Sequence, residues 1–182
     1  MEHWGGKIER VIETKRLRLF PFELEDLENR LTNHSFISNK YHLCDNQEAL
    51  SPLMKKVYRL KIDKIKNGEE LLLCTYFGIV LRSENRLVGE IAFKGPPDEA
   101  GCVEIGYGLE AFARGNGYMT EVLKGVVGWV TDFRFQMVRG IRAFVAFDNA
   151  SSQKTLLSAG FFENKITKGN APYDKEYVLF IS

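Results

Sequence analysis

Apolar side chains recur along this chain at two spacings, and the switches between them predict its elements. From Thr14 to Phe20, Leu17 and Leu19 alternate with Arg16 and Arg18, the two-residue period of a strand, which Pro21 blocks from continuing as a regular central strand. Leu24, Leu27 and Leu31 then stand at helical spacing, with acidic residues in the first turn where the helix dipole favours them. Asn33 to Leu50 is polar and irregular. Ser51-Pro52 offers an N-cap and a proline at the first helical position, and Asn67-Gly68 a stop, so a second helix runs to about Lys66.

From Glu70 onward β-branched and aromatic residues dominate. Leu71–Leu81 and Arg86–Phe93, joined by a turn at Ser83 to Asn85, read as a hairpin. Gly95 to Gly101 is a loop, and Cys102–Leu109 is a third neighbouring antiparallel strand. After a glycine loop, Met119, Val122, Leu123, Val126, Val127 and Val130 form the stripe of a core-facing helix. Arg139–Phe147 reads as a strand, Ala150–Ser158 as a helix, and Phe161–Thr167 and Glu176–Ile181 as strands. The order is β-α-α-β-β-β-α-β-α-β-β, and with no repeat or linker it predicts one α/β domain over residues 1–182.

Composition narrows the function classes. With 25 Lys and Arg against 24 Asp and Glu, and 45% hydrophobic residues, the chain is neither disordered nor fibrous. It carries no basic run to hold nucleic acid or an anionic membrane surface, so neither partner is expected. Cys44, Cys74 and Cys102 are odd in number and widely spaced, without a CxxC or a nearby His pair, so no metal is expected and a reduced compartment fits. His3, His34 and His42 read as surface or loop residues. No apolar run reaches about 18 residues, and Met1 to Arg10 lacks an apolar leader core, so a cytoplasmic protein is expected.

Candidate chemistry gathers at Arg114-Gly115-Asn116-Gly117-Tyr118-Met119, between a strand and the longest amphipathic helix. Backbone N–H groups there lack intrahelical partners and the helix dipole is positive, which suits a phosphate or pyrophosphate. Glycines permit close approach and positive φ. An ordinary strand-to-helix turn would look the same. A dinucleotide fingerprint fails because Thr120 stands where a third glycine is needed, and no P-loop spacing exists.

Arg114-x-x-Gly117, after a strand reading Val103-Glu104-Ile105-Gly106-Tyr107-Gly108-Leu109, resembles motif A of the GNAT acetyltransferases. Asp148-Asn149-Ala150-Ser151-Ser152 with Gly160-Phe161 downstream resembles motif B of the ribosomal-protein N-terminal acetyltransferase branch. The resemblance implies an acyl-CoA N-acyltransferase fold, a mixed and mostly antiparallel sheet opened by a parallel splay between the strands ending near Leu109 and Phe147. It also implies acetyl-CoA as cosubstrate. Backbone groups of Tyr107, Gly108 and Leu109 would bind pantetheine, and the N–H groups of Arg114, Gly115, Asn116, Gly117, Tyr118 and Met119 the pyrophosphate. Asn149 would reach the pantetheine chain, Ser152 the departing sulfur, and Glu104 would serve as general base. Ser152 and Asn149 have the bland alternative of capping a helix, and Glu104 that of pairing with a lysine.

Two positions depart from the family pattern. Met119 occupies a site usually held by Gly or Ala and is expected to turn to the core. Leu156 replaces a tyrosine that acts as acid in some relatives. The Tyr107 ring is assigned to packing ahead of proton donation or lining the acceptor pocket, Gly125 and Gly128 to close backbone approach, and Phe133, Phe135, Phe144, Phe147, Phe161 and Phe162 to the core. The acceptor implied is a primary amine, either a small molecule or a protein N-terminus, bounded by the loops Asn33 to Leu50 and Lys168 to Lys175. These loops show no acidic cluster, which disfavours a polycation. The rival reading is a catalytically silent CoA-binding or protein-interaction module of the same fold.

Overall fold

The computed structural model describes residues 11–44, 49–69, 71–132, 138–164 and 174–181. Its strands are β1 (Ile12–Glu13), β2 (Leu17–Pro21), β3 (Tyr76–Leu81), β4 (Arg86–Phe93), β5 (Cys102–Leu109), β6 (Gly140–Ala146), β7 (Phe162–Asn164) and β8 (Asp174–Phe180). They form one sheet in the order β1-β2-β3-β4-β5-β6-β8-β7. Neighbours are antiparallel except β5 and β6, which run parallel. The helices are α1 (Leu24–Arg30), α2 (Phe36–Lys40), α3 (Pro52–Lys66), α4 (Leu71–Cys74), α5 (Tyr118–Asp132) and α6 (Ala150–Ser158).

Local signals account for most boundaries. Ser51 Oγ accepts from Met54 N at 3.3 Å and caps α3, while Gly68 closes it at φ +91°. At α1 the Glu23 N–H donates to the Asp26 carboxylate at 2.8 Å, half of a capping box. Alternation along the strands sends Val103 and Ile105 of β5, and Ile141, Ala143 and Val145 of β6, into a core shared with Val122, Leu123 and Val126 of α5. The opposite face of the sheet packs Tyr76, Val80 and Ala92 against Leu27 of α1, Ile37 of α2 and Tyr58 and Ile62 of α3. The sheet is thus covered on both faces by different helices.

Several expectations change. Leu71–Leu81 is not one strand: Leu71–Cys74 is a helical turn, and buried Thr75, donating from Oγ1 to Phe22 O at 2.6 Å, turns the chain into β3. Pro21 ends β2 opposite Phe77 rather than lying beyond it. Phe36–Lys40 is helical inside the segment expected to be irregular. Phe147 and Phe162 are 71% and 48% exposed, so neither belongs to the core, whereas Phe161 does. His3, Phe133, Phe135, Lys168 and the strand residues expected after Asn164 lie outside the described residues. Among the described residues no helix is long and apolar enough to cross a membrane, and no group of three or more His, Cys, Asp and Glu side chains is placed to hold a metal ion.

Candidate functional site

The site begins where two strands part. β5 and β6 pair at Cys102 with Gly140, Val103 with Ile141 and Glu104 with Arg142. Past Glu104, β5 keeps its bonds to β4 through Leu109, while β6 stays with β8 through Ala146. Backbone groups on the facing edges are thereby left without a strand partner. At this parting lies a cleft of about 570 Å³, bounded by the end of β5, the glycine loop and the first turns of α6. Tyr107, Gly108, Leu109, Arg114, Gly115, Gly117, Tyr118, Met119, Asn149 and Ser152 all line it.

The loop is conformed as its glycines allow. Gly115 and Gly117 sit at φ +77° and +74°, a region costly for residues with a Cβ. Among the described residues, the Arg114 N–H, expected to be open, donates to Ala111 O at 3.4 Å, whereas those from Gly115 to Thr120 have no backbone acceptor; the next bonded one is that of Glu121, to Gly117 O at 3.2 Å. Such a run of open donors at the start of α5 fits a diphosphate. Arg114 on one wall and Lys154 on the other add positive charge, with Arg114 Nε held on Leu109 O at 3.0 Å.

Asn116 is the one predicted cofactor residue that does not line the cleft. Its amide donates to Ala113 O and Arg114 O at 3.2 and 3.1 Å, which shapes the turn. Its carbonyl accepts from Arg16 Nη1 at 3.0 Å. Arg16 also donates from Nε to Glu121 at 2.7 Å and lies 4.6 Å over the Tyr118 ring, so the chain before β2 clasps the loop from behind. Burial pushes the Glu121 carboxyl up, but bonds from the Arg16 backbone, Thr14 and the Arg16 guanidinium outweigh it and hold the group below its usual value. Met119 is 6% exposed and sits in the core, as expected, while also touching the cleft.

On the other wall Asn149 caps α6, its Oδ1 accepting from Ser152 N at 3.1 Å. The capping role therefore holds for Asn149, but the Ser152 hydroxyl is engaged elsewhere: Ser152 Oγ and Tyr107 Oη are 2.7 Å apart. Tyr107 does more than pack, since its ring meets the core while its hydroxyl reaches into the cleft. Burial raises its pKa against the lowering effect of the Ser152 bond, so it stays protonated through the neutral range. Leu156 is fully buried. The sequence reading passed over Ser151, Thr155, Ser158 and Lys154, which also line the cleft. The hydroxyl groups of Ser151, Thr155 and Ser158 recur at helical spacing opposite Leu156, a legible signal.

Glu104 is not brought together with Ser152. Val103 and Ile105 face the α5 core, so Glu104 faces the opposite side of the sheet, half-buried and ion-paired with Lys94 Nζ. It is nevertheless the last paired residue before the strands separate. Gly125 is explained by close approach, since a Cβ there would meet Thr14 Cγ2 at 2.8 Å; Gly128 has open space around it, and nothing in the structure explains it.

The sequence profile of the acetyltransferase (GNAT) domain matches residues 16–162 of this chain. An uncharacterized N-acetyltransferase of Bacillus subtilis, YjdG, is 28% identical over 155 residues, 85% of this chain and 90% of that protein. The probable N-acetyltransferase YjcK of the same organism is 26% identical over 166 residues, 88% of each. Among solved structures, the RimL ribosomal L7/L12 alpha-N-protein acetyltransferase in complex with coenzyme A superposes with a TM-score of 0.62 at 17% identity. The match covers 94% of this chain and 98% of that one, which shows a shared fold.

Proposed function

The chain belongs to the GNAT family of N-acetyltransferases, which use acetyl-CoA, and from that premise we propose how its own residues divide the work. The carrying observation is the parting of β5 and β6 beside a loop of open N–H donors. The N–H groups of Gly115 to Met119 hold the diphosphate, with Arg114 and Lys154 supplying charge. Edge groups of Tyr107 to Leu109, unbonded on the β6 side, hold the pantetheine amides and offer one N–H to the thioester oxygen.

Acetyl-CoA supplies an activated acetyl group, whose carbon forms a bond to the amine nitrogen as its bond to sulfur breaks. Ser152, fixed by Tyr107, donates to the sulfur as its charge develops. Glu104 takes up the amine proton, directly or through water, from the apex of the splay on the opposite face. The acceptor is a primary amine. A protein N-terminus is the first class to test, because the coenzyme A-bound structural relative is an alpha-N-protein acetyltransferase.

Thiol release from acetyl-CoA across a panel of alkylamines and peptides tests the reading. Glu104→Gln is expected to lower kcat by about 10²-fold or more with the calorimetric Kd for acetyl-CoA unchanged. Tight acetyl-CoA binding with no acetylated product from any amine would refute it.

A further inference from the structure

The face of the sheet opposite the cleft carries a second carboxylate that the sequence reading did not consider. Glu90 lies in the middle of β4, paired across the ladder with Gly108 of β5. Residues directly opposite in an antiparallel pair share a face, so the Glu90 side chain stands beside a position with no side chain. A Cβ built on Gly108 would find nothing within 4 Å. Gly106, two positions back, also contributes no side chain to this face, but Lys94 crosses it, its Cε lying 3.2 Å from where a Cβ on Gly106 would stand. Both glycines lie past the last β5–β6 pair, where the sheet is open to the cleft on its far side. An exposed hollow therefore sits over Gly108 on the acceptor side of the splay, flanked by the Glu90 carboxylate and bounded on its Gly106 side by the Lys94–Glu104 ion pair.

Glu90 is held there. Tyr58 of α3, fully buried, donates its hydroxyl to Glu90 Oε2 at 2.9 Å. Tyr76 stacks on Tyr58 with ring centroids 4.7 Å apart. The charges that act on Glu90 are Arg30 of α1 and Glu110, just past β5, so two carboxylates stand against one guanidinium. Burial raises the Glu90 pKa ahead of these charges, the sign of a carboxylate poorly served by water. A cation in the hollow would replace the missing solvation.

We propose that Glu90 is the acceptor-recognition residue, its carboxylate receiving the ammonium group of an incoming alkylamine above Gly108 before the proton is removed. The proposal rests on the acetyl-transfer reading and deepens it: the substrate class is an amine that arrives as a cation, selected over neutral nitrogen nucleophiles. The acidic groups are on a strand and beside the splay, not on the loops where the sequence reading sought them.

The test compares wild type, Glu90→Gln and Tyr58→Phe on alkylamines and peptide N-termini, which are cationic at pH 7.5, and on aniline, which is neutral there. Calorimetric binding of acetyl-CoA serves as the check on folding. Glu90→Gln is expected to raise KM for the cationic acceptors by about 10- to 100-fold, the worth of a charge-assisted bond, with kcat and aniline turnover within about threefold. Tyr58→Phe, which leaves the charge in place, is expected to raise the same KM by less than about tenfold. Unchanged KM in both variants, equal losses on aniline, or a loss confined to kcat would overturn the proposal. If Glu90→Gln fails to bind acetyl-CoA, Tyr58→Phe decides, and an unchanged KM there overturns it. A wild type that acetylates no amine overturns the acetyl-transfer reading and this one together; an active wild type with an indifferent Glu90→Gln overturns this one alone.

Discussion

The 2.7 Å contact between Tyr107 and Ser152 gives a serine on a helix a fixed orientation that its own backbone would not impose. Ser152 Oγ has both a donor and two acceptor positions, and the protonated phenol occupies one of them. Tyr107→Phe keeps the ring against the core and removes the oxygen. Steady-state kinetics should then show kcat lowered by about tenfold with acetyl-CoA affinity within about twofold. Ser152→Ala should cost more, and the double variant no more than Ser152→Ala alone, because both changes remove one unit. Additive losses would mean that the two hydroxyls act separately. At this scale strand parity was already legible: Val103 and Ile105 flank Glu104, and that alternation alone sends the carboxylate away from the α5 core. Glu90 was legible too, as the one charge inside the apolar run Leu87 to Phe93. What the residues alone could not give was Lys94 as the partner of Glu104, since that pairing depends on the register of β4 and β5.

Among the elements, the loop between β5 and α5 joins backbone conformation to binding. Gly117→Val places a β-branched residue at φ +74°, where it is strained by roughly 1–2 kcal/mol. The side chain itself has room, its nearest neighbour being Arg16 Nη2 at 3.7 Å from the added Cβ. The loop is therefore expected to change conformation rather than merely fill. Calorimetry should show acetyl-CoA affinity reduced by about 100-fold or more as N–H donors turn away, while the melting temperature falls only a few degrees. Undiminished affinity would remove the diphosphate from this loop. The boundaries of α3 and α6 followed from caps and periodicity, which are local. Leu71 to Leu81 misled because an unbroken apolar run suits a buried helical turn as well as a strand, and tertiary contacts through Thr75 decided it. The five residues of α2 are too few for a period to show, and the two of β1 exist through their pairing with β2.

For the molecule as a whole, stability has an unusual titrating contributor between its layers. Lys61 of α3 is 6% exposed and donates to Cys74 O and Phe93 O at 2.7 and 2.8 Å, joining the helix to the chain before β3 and the end of β4. Burial lowers its pKa from 10.5 to about 8. The unfolded chain thus binds this proton more tightly, and stability from this group rises with pH between about 8 and 10.5. Denaturant titrations at pH 7, 8, 9 and 10 should show the wild type gaining on Lys61→Met as pH increases; a constant difference would mean an ordinary lysine pKa in the fold. The mixed sheet and its single parallel pair could be anticipated from the chain, because the motif resemblance spans β5 through α6. The division of labour between its faces could not, since it depends on which helices cover each side.

That division has an evolutionary reading. With Glu90 as the proposed acceptor residue, donor and acceptor enter by separate doors where β5 and β6 diverge and meet only at the gap. Substitutions of Glu90 and of the side chains around it would then redirect which nitrogen is modified while the backbone grip on the shared metabolite stays intact, so new specificities would arise by altering one side of a single sheet.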